Sequence, residues 1–353
     1  MNLDSLKQDS LALLKRMIAT PSVSRDESAV ADLIYSQLSQ WGLCVSRKGN
    51  NLWVRQPSCS HTAPVILLNS HIDTVRPAAG YTRDPYTPTI DNGRLYGLGS
   101  NDAGGPLVSL LAAFRHLLTT DQPYNLIFAA TAEEEVSGKN GIESILPELG
   151  RIDLAIVGEP TGMQPAVAEK GLMVLDCTAF GKSGHAARAE GVNAIYVALP
   201  AIEWFRTHTF DRISSFLGPV KMSVTQISAG TQHNVVPDTC RFVVDVRVNE
   251  LYSNPELLAI IKQEVGVSVS ERSTRLCSSS IPISHPIVQR AIQMGMKPFG
   301  SPTMSDQALL RCPSLKIGPG QSARSHTADE YIELQEIDKG IDTYIALLDQ
   351  LSL

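Results

Sequence analysis

The sequence lacks an excess of basic residues, and it lacks any long apolar run. Its 353 residues contain 30 Lys and Arg against 36 Asp and Glu, which gives a formal net charge of −6 at pH 7. No basic cluster stands out against this acidic balance, so nucleic acid is not a predicted partner. No apolar run approaches the length of about eighteen residues that a membrane-spanning helix needs, and we therefore predict no membrane segment.

Cysteine is also scarce and irregularly spaced. The cysteines form no C-x-x-C pair and no other metal-binding spacing; they are Cys44, Cys59, Cys177, Cys240, Cys277 and Cys312. Free thiols in a reducing cytoplasm explain this pattern most simply. Residues 1–20 mix charged side chains with leucines, which favours an amphipathic helix over the uninterrupted apolar core of a signal peptide. We therefore predict a cytoplasmic protein.

The first half of the chain alternates between strand-like and helix-like segments. Apolar runs at residues 64–68, 125–130 and 153–157 are predicted to be buried strands. Residues 106–118 have helical periodicity, and Pro106 is acceptable in the first turn of a helix. This order predicts an α/β fold with a mainly parallel sheet that is covered by helices on both faces.

The pattern changes in the middle of the chain. Residues 167–275 are predicted to form strand, helix, strand, strand, helix and strand in turn, which is the order of a ferredoxin-like βαββαβ unit. The strand-like run at 314–317 and the helical pattern after it resume the earlier α/β style. We therefore predict a catalytic domain made of residues 1–166 and 276–353, into which residues 167–275 are inserted. The sequence contains no internal repeat and no low-complexity linker.

Ionisable side chains collect where the predicted strands end. His71 and Asp73 follow the first strand, and residues two apart in an extended chain point the same way. Asp102 lies in a glycine-rich loop before a helix, where a helix N-cap is the simpler explanation. Further such residues beyond later strands are Glu133, Glu134, Glu159 and His326. Each of them alone is explained as a capping or surface residue.

The coincidence of these positions changes the interpretation. Ligands bind beyond the carboxyl ends of the strands in parallel sheets, and independent surface residues would not collect there. Imidazole and carboxylate ligands together suit zinc or cobalt, and a bridging carboxylate allows two ions about 3.5–4 Å apart. Two divalent cations would also balance three carboxylates and a hydroxide. The pattern therefore predicts a site for two divalent ions.

Six motifs resemble those of the aminoacylase and acetylornithine deacetylase family of metallopeptidases, which also includes succinyl-diaminopimelate desuccinylases and carboxypeptidases. The motifs are SHIDTV at 70–75, GSNDAGG at 99–105, TAEEEVSG at 131–138, GEPT at 158–161, GKSGHAA at 181–187 and SHTADE at 325–330. They follow the family's order over nearly the whole chain. The resemblance implies an enzyme that uses two zinc or cobalt ions to hydrolyse the amide of a small N-acylated amino acid.

The resemblance also implies which residues bind the two ions. It places one ion between His71 and Glu159. It places the other ion between Glu134 and His326, and Asp102 would bridge the two. Because all the matched ligand positions are intact, an inactive relative is not expected.

Catalytic and substrate-binding roles follow from the same resemblance. Glu133 would be the general base that takes a proton from metal-activated water, and Asp73 would support His71. His185 would stabilise the oxyanion from the inserted domain of a partner subunit, so a homodimer is part of the predicted mechanism. The residues that would contact the substrate are Asn234, Arg247 and Arg324. A polar loop for His185 and an outward strand position for Arg247 stay open as simpler explanations.

The predicted substrate is N-acetylornithine or another N-acylornithine. The chain length, the size of the insertion and the GPG-x-x-x-x-SHTADEYI ending are most similar to acetylornithine deacetylases of arginine synthesis. Residues 301–307 and Arg324-Ser325 depart from the commoner family pattern near the expected pocket, so succinyl-diaminopimelate, acylcitrulline and dipeptides or peptides stay open as substrates. The alternative from another class is a noncatalytic binding protein that contains a metal ion.

Overall fold

The computed structural model describes residues 2–57, 60 and 62–353. Its helices are α1 Leu3–Ile18, α2 Ser28–Gln40, α3 Gly105–Leu117, α4 Ile142–Leu149, α5 Ala194–Thr207, α6 Asn254–Glu264, α7 Pro286–Gln293 and α8 Leu334–Leu348. Its strands are β1 Val45–Lys48, β2 Asn51–Arg55, β3 Val65–His71, β4 Thr89–Asp91, β5 Arg94–Tyr96, β6 Asn125–Thr131, β7 Leu154–Val157, β8 Ala166–Glu169, β9 Gly171–Phe180, β10 Gly184–His185, β11 Lys221–Ala229, β12 Val235–Val236, β13 Thr239–Val248, β14 Ser268–Glu271, β15 Ser279–Ser280, β16 Phe299–Ser301, β17 Ser314–Lys316 and β18 Tyr331–Glu333.

The chain divides into two compact units. The first comprises Met1–Val167, Ser280–Phe299 and Ser305–Leu353, and the second comprises Ala168–Ser279 and Gly300–Met304. Residues 276–279 and 300–304, which the sequence pattern places in the catalytic domain, thus belong to the second unit. Backbone hydrogen bonds explain the difference, because Leu172 N donates to Leu276 O and Lys170 N donates to Ser301 O.

A mixed sheet forms the centre of the first unit. Six of its strands lie in the order β1-β2-β6-β3-β7-β17. The last four run parallel to one another, whereas β1 and β2 add antiparallel pairs at one side. β3, β6 and β7 are buried almost throughout, which is why their sequences are continuous apolar runs. The predicted α/β class is confirmed, with a central sheet that is mixed.

Helices α1, α3 and α8 pack against one another within the first core. The last of them begins at a capping box in which Glu333 and Glu336 satisfy each other's backbone N–H groups. Its apolar residues recur with helical spacing, and Ile337, Ile341 and Tyr344 are buried. Tyr344 donates a hydrogen bond to Ile317 O, which ties α8 to the end of β17.

The second unit is an antiparallel sheet with the strand order β11-β13-β9-β14 and two helices. Its elements follow the predicted order as β9, α5, β11, β13, α6 and β14. Along β13, buried and more exposed residues alternate, and Phe242 on the buried side packs against Phe205 of α5. A short ribbon of β10 and β12 is an addition that the sequence pattern did not indicate.

Two further sequence expectations concern membranes and thiols. Among the described residues, every helix is too short or too polar to cross a membrane. The thiols of Cys44, Cys177, Cys240, Cys277 and Cys312 are free. Cys59 lies outside the described residues.

Candidate metal centre

The parallel strands of the first unit bring the acidic motifs together. In the sheet register, His71 at the end of β3 lies opposite Thr131 at the end of β6. On the other side of β3, Asn69 lies opposite Val157 at the end of β7. The residues that follow these three strands therefore project from the same edge of the sheet.

Two groups of possible metal ligands meet at this edge, and both include His71. In one group the donor atoms of His71, Glu134 and Glu159 all lie within 4.8 Å of one another. In the other, the donor atoms of His71, Asp102 and Glu135 meet the same limit. The Nε2 atom of His71 lies 3.2 Å from Asp102 Oδ1 and 3.8 Å from Glu159 Oε1.

His326 reaches the same cluster from the loop after β17. Its Nε2 atom lies 2.9 Å from Glu135 Oε2 and 3.6 Å from Asp102 Oδ2. Asp102 therefore presents one carboxylate oxygen to His71 and the other to His326. A carboxylate shared in this way is the arrangement that a bridge between two ions requires.

Asp73 contacts both His71 and the turn that carries Glu134 and Glu135. His71 Nδ1 lies 2.9 Å from Asp73 O and 3.5 Å from Asp73 Oδ1, so Nε2 is the ring nitrogen directed at the cluster. The buried Asp73 carboxylate also accepts hydrogen bonds from Glu134 N at 3.1 Å, Glu135 N at 3.2 Å and Ser24 Oγ at 2.7 Å. A partner of this kind fixes the orientation of a metal-binding histidine.

Glu133, the predicted general base, is directed away from the cluster. Its carboxylate accepts hydrogen bonds from Asn140 Nδ2 at 2.9 Å and Asn140 N at 3.3 Å. It packs so closely over Gly138 that a Cβ there would lie 1.8 Å from Glu133 Oε2. The backbone of Glu133 has φ +56°, and the chain turns there so that Glu134 and Glu135 face His71.

The two glutamates of the triplet that contact the cluster are therefore Glu134 and Glu135, one residue later than the predicted pair. The predicted ligand Glu134 is present in the cluster, but the predicted base Glu133 is not. Glu135, which the sequence pattern leaves as a residue that supports the turn or faces solvent, has a side chain that is only 7% exposed beside His326. Three identical side chains in a row do not indicate which of them will face the cluster, because a backbone turn decides it.

The carboxylates of the cluster are crowded and poorly solvated. Burial raises the pKa of the Glu159 carboxyl to about 8, although His71 acts to lower it. Burial, and then the charge of Glu159, raise the pKa of Glu134 well above its ordinary value. Burial lowers the pKa of His71, but hydrogen bonds to Asp102 and Asp73 raise it by more, so the net pKa lies well above 6.5. The cluster thus stabilises positive charge.

The available donors fit two divalent ions. Glu159 Oε1 is buried and accepts no hydrogen bond from any residue that the structure describes. A buried carboxylate oxygen without a partner is costly unless a cation or other donor satisfies it. Carboxylates and imidazoles are also the donor types that zinc and similar ions take in proteins.

Arg324 lies in the first unit, but its charge is already neutralised there. Its Nη1 atom lies 2.6 Å from Glu336 Oε2, and its guanidinium lies 4.5 Å from the centre of the Tyr331 ring. Both side chains of the ion pair are less than one-fifth exposed. Glu336 at the start of α8 therefore binds Arg324, and the predicted contact of Arg324 with substrate stays a prediction.

The other predicted functional residues lie in the second unit. His185 pairs with Val235 in the β10–β12 ribbon, and Asn234 O accepts a hydrogen bond from Ala186 N. Arg247 on β13 makes two hydrogen bonds to the carboxylate of Asp245, two residues earlier on the same strand. This pairing is compatible with both explanations for Arg247. The substrate-related roles of His185, Asn234 and Arg247 stay predictions.

Comparison with known proteins gives a family. The profile of Peptidase family M20/M25/M40 matches residues 67–350. The chain belongs to this family. The match confirms the predicted metallopeptidase family, and it does not distinguish acetylornithine deacetylases from other members.

Solved structures share the fold at low sequence identity. Aminopeptidase PepT from Bacillus cereus has a TM-score of 0.77 and 20% identity, with 98% of each chain covered. The M20 family metallo-carboxypeptidase Sso-CP2 from Sulfolobus solfataricus has a TM-score of 0.74 and 15% identity, over 97% of this chain and 98% of that one. The YXEP protein from Bacillus subtilis, described as a dinuclear metal binding peptidase, has a TM-score of 0.75 and 14% identity, over 99% and 100%.

Zinc should stabilise this M20 protein more at about pH 8 than at about pH 5.5. In the metal-free protein, His71, Glu134 and Glu159 have raised pKa values. Their contribution to stability is therefore complete below their unfolded-state pKa values and is lost as the pH rises through the folded-state values. Metal binding also competes with protons for the same atoms, and this competition weakens as the pH rises.

The measurement is the midpoint of thermal unfolding with zinc and with a chelator at both pH values. We expect the difference between the two midpoints to grow with pH. A difference that is equal at both pH values, or larger at the lower one, would contradict the account.

Proposed function

We propose that this M20 protein is a dinuclear metal-dependent amidohydrolase that removes the acyl group from an N-acylated amino acid. The observation that carries the proposal is the position of Asp102, whose two carboxylate oxygens lie against two different histidines, His71 and His326. The Bacillus subtilis relative, described as dinuclear, supports a two-ion site of the same kind. Zinc or cobalt suits the mixed imidazole and carboxylate donors.

The observed contacts favour a revised assignment of the ligands. His71 and Glu159 would hold one ion, because they meet in the first donor group. His326 and Glu135 would hold the other, because their side chains are in contact. Asp102 would be shared. When bound, the ions supply Lewis-acid chemistry that polarises the amide carbonyl and acidifies water.

Glu134 is the carboxylate that this assignment leaves without a ligand role, and we assign it as the general base. Its carboxylate lies beside His71 and Glu159, and burial raises its pKa. A base with a raised pKa can accept a proton from water at one carboxylate oxygen and later donate it to the departing amine. Asp73 directs Glu134 by binding its backbone N–H. Glu133, held by Asn140, does not have this role in the proposal.

The proposed substrate class is N-acetylornithine or another N-acylornithine, in arginine synthesis. Its support is the similarity of the GPG-x-x-x-x-SHTADEYI ending and of the chain length to acetylornithine deacetylases. Because Glu336 neutralises Arg324, recognition of a succinyl carboxylate would need another cation, such as Lys182 or Arg188. Peptides are the competing substrates, since the related structures include an aminopeptidase and a carboxypeptidase.

Single substitutions in the acidic triplet should separate the roles of its members. Glu134→Gln should lower kcat by about 10²–10⁴-fold, with metal content near the wild-type level, because it removes a proton acceptor and leaves the ligands in place. Glu133→Gln is the matched control and should retain most of the turnover, because Glu133 is bound to Asn140. Glu135→Gln should lower metal content. Metal analysis and amine-release kinetics measure both quantities.

The opposite result would support the roles predicted from the sequence. If Glu133→Gln abolishes turnover while Glu134→Gln loses metal, the base is Glu133 and the revised assignment of Glu134 and Glu135 is wrong. If all three variants keep full turnover, the cluster does not catalyse hydrolysis.

A substrate panel should identify the acyl group and the amine. We expect kcat/KM for N-acylornithines to exceed that for succinyl-diaminopimelate, acylcitrulline and dipeptides, with zinc or cobalt bound. Faster release of amino acids from dipeptides would favour a peptidase. Binding of these compounds without release of any amine would favour a noncatalytic binding protein.

A further inference from the structure

The loop that carries Asp102 is bound to the side chain of Glu330. One carboxylate oxygen of Glu330 accepts hydrogen bonds from Asn101 N at 2.8 Å and Asp102 N at 2.9 Å. The other accepts from Gly99 N at 3.0 Å, and Glu330 O accepts from Gly97 N at 3.0 Å. Glu330 is only 2% exposed. A buried side chain thus satisfies three backbone donors of the loop, including that of Asp102 itself.

A second contact joins the same two segments of the chain. The Asn101 side chain, which is fully buried, accepts from Gln321 N at 2.9 Å and donates to Gln321 O at 3.1 Å. Gly320 has φ +87°, and a Cβ at this position would lie 2.4 Å from Asn101 Oδ1. The close approach therefore requires glycine at position 320.

His326 lies between these two contacts in the sequence, five residues after Gln321 and four before Glu330. Its backbone is in the left-handed region with φ +59°, and its side chain is 55% exposed. Packing alone therefore restrains His326 less than it restrains the buried His71. The hydrogen bonds at both ends of its segment fix where it stands relative to Asp102.

We propose that Glu330 is a positioning residue which sets the distance between Asp102 and His326, and that Asn101 completes the same clamp. The inference rests on the proposed two-ion site, and it adds a residue that the motif resemblance left without a role. The clamp acts on both ions through the shared Asp102, and most strongly on the ion assigned to Glu135 and His326, because His326 depends on it as well. His71 and Glu159 depend on other contacts, with Asp73 and the end of β7.

Glutamine is the informative replacement for Glu330. It has nearly the same shape, but its single amide oxygen cannot accept from both groups of backbone donors. Its NH₂ group would face Gly99 N or the N–H groups of Asn101 and Asp102, and would leave them unsatisfied. The loop would then relax around Asp102 while the core below it is unchanged.

Calorimetric titration of the metal-free full chain with zinc alone tests the clamp. The wild-type protein should show two binding steps. Glu330→Gln should weaken one step by roughly 10–100-fold, as changes to the partners of metal ligands do, and should weaken the other step less, because that ion depends on the clamp only through Asp102. Glu330→Asp, which keeps two carboxyl oxygens as acceptors, should recover part of the loss.

Asp329→Asn is the matched control. Asp329 is the adjacent carboxylate, and it accepts hydrogen bonds from Thr82 N, Arg83 N and Thr82 Oγ1. The segment of Thr82 and Arg83 contains no proposed metal ligand. This variant should keep both binding steps. If Glu330→Gln fails to fold by circular dichroism, Asn101→Ala removes the other contact and should weaken the same step most.

The possible results separate the clamp from the proposed function. Wild-type protein that binds no zinc, or only one ion, contradicts the two-ion site before any variant is compared. Wild-type protein that binds two ions, together with a Glu330→Gln variant that also binds both normally, overturns the clamp alone. Equal weakening of both steps in Glu330→Gln also overturns it, since the clamp predicts a larger loss at one step than at the other.

Discussion

The structure depends on holding like charges together at one edge of a sheet. Asp102, Glu134, Glu135 and Glu159 crowd around two imidazoles, and such a group is unfavourable in a buried place unless positive charge accompanies it. Carboxylates outside the cluster hold its backbone segments in place. Asp73 binds the N–H groups of the acidic turn, and Glu330 binds those of the Asp102 loop.

The same constraint connects stability and function. In the metal-free protein, burial first and neighbouring carboxylates second raise the pKa of Glu134 and of Glu159, which favours their protonated forms. The Glu135 carboxylate raises the pKa of His326 to about 9 by hydrogen bonding. Two divalent ions would replace these protons. A site that is held rigidly before the ions arrive loses little freedom when they bind, which suits electrostatic catalysis.

Sequence patterns predict the parts of this structure that depend on burial and on strand direction. The continuous apolar runs identify β3, β6 and β7, and His71, Glu159 and His326 follow strands that end at one edge. Asp102 reaches the same cluster from the loop before α3. The patterns fail where a local turn or a distant partner decides. One left-handed residue, Glu133, sets which members of the acidic triplet face His71, and Arg324 is bound by a glutamate in the next helix. No periodicity in the sequence records either event.

The most direct test of the central claim is a crystal structure of zinc-loaded protein with anomalous scattering measured at the zinc edge. The account predicts two anomalous peaks, one contacted by His71 and Glu159 and the other by Glu135 and His326. Asp102 should contact both peaks, and Glu133 should contact neither. A single peak, a peak bound by Glu133, or no peak among these residues would contradict the account.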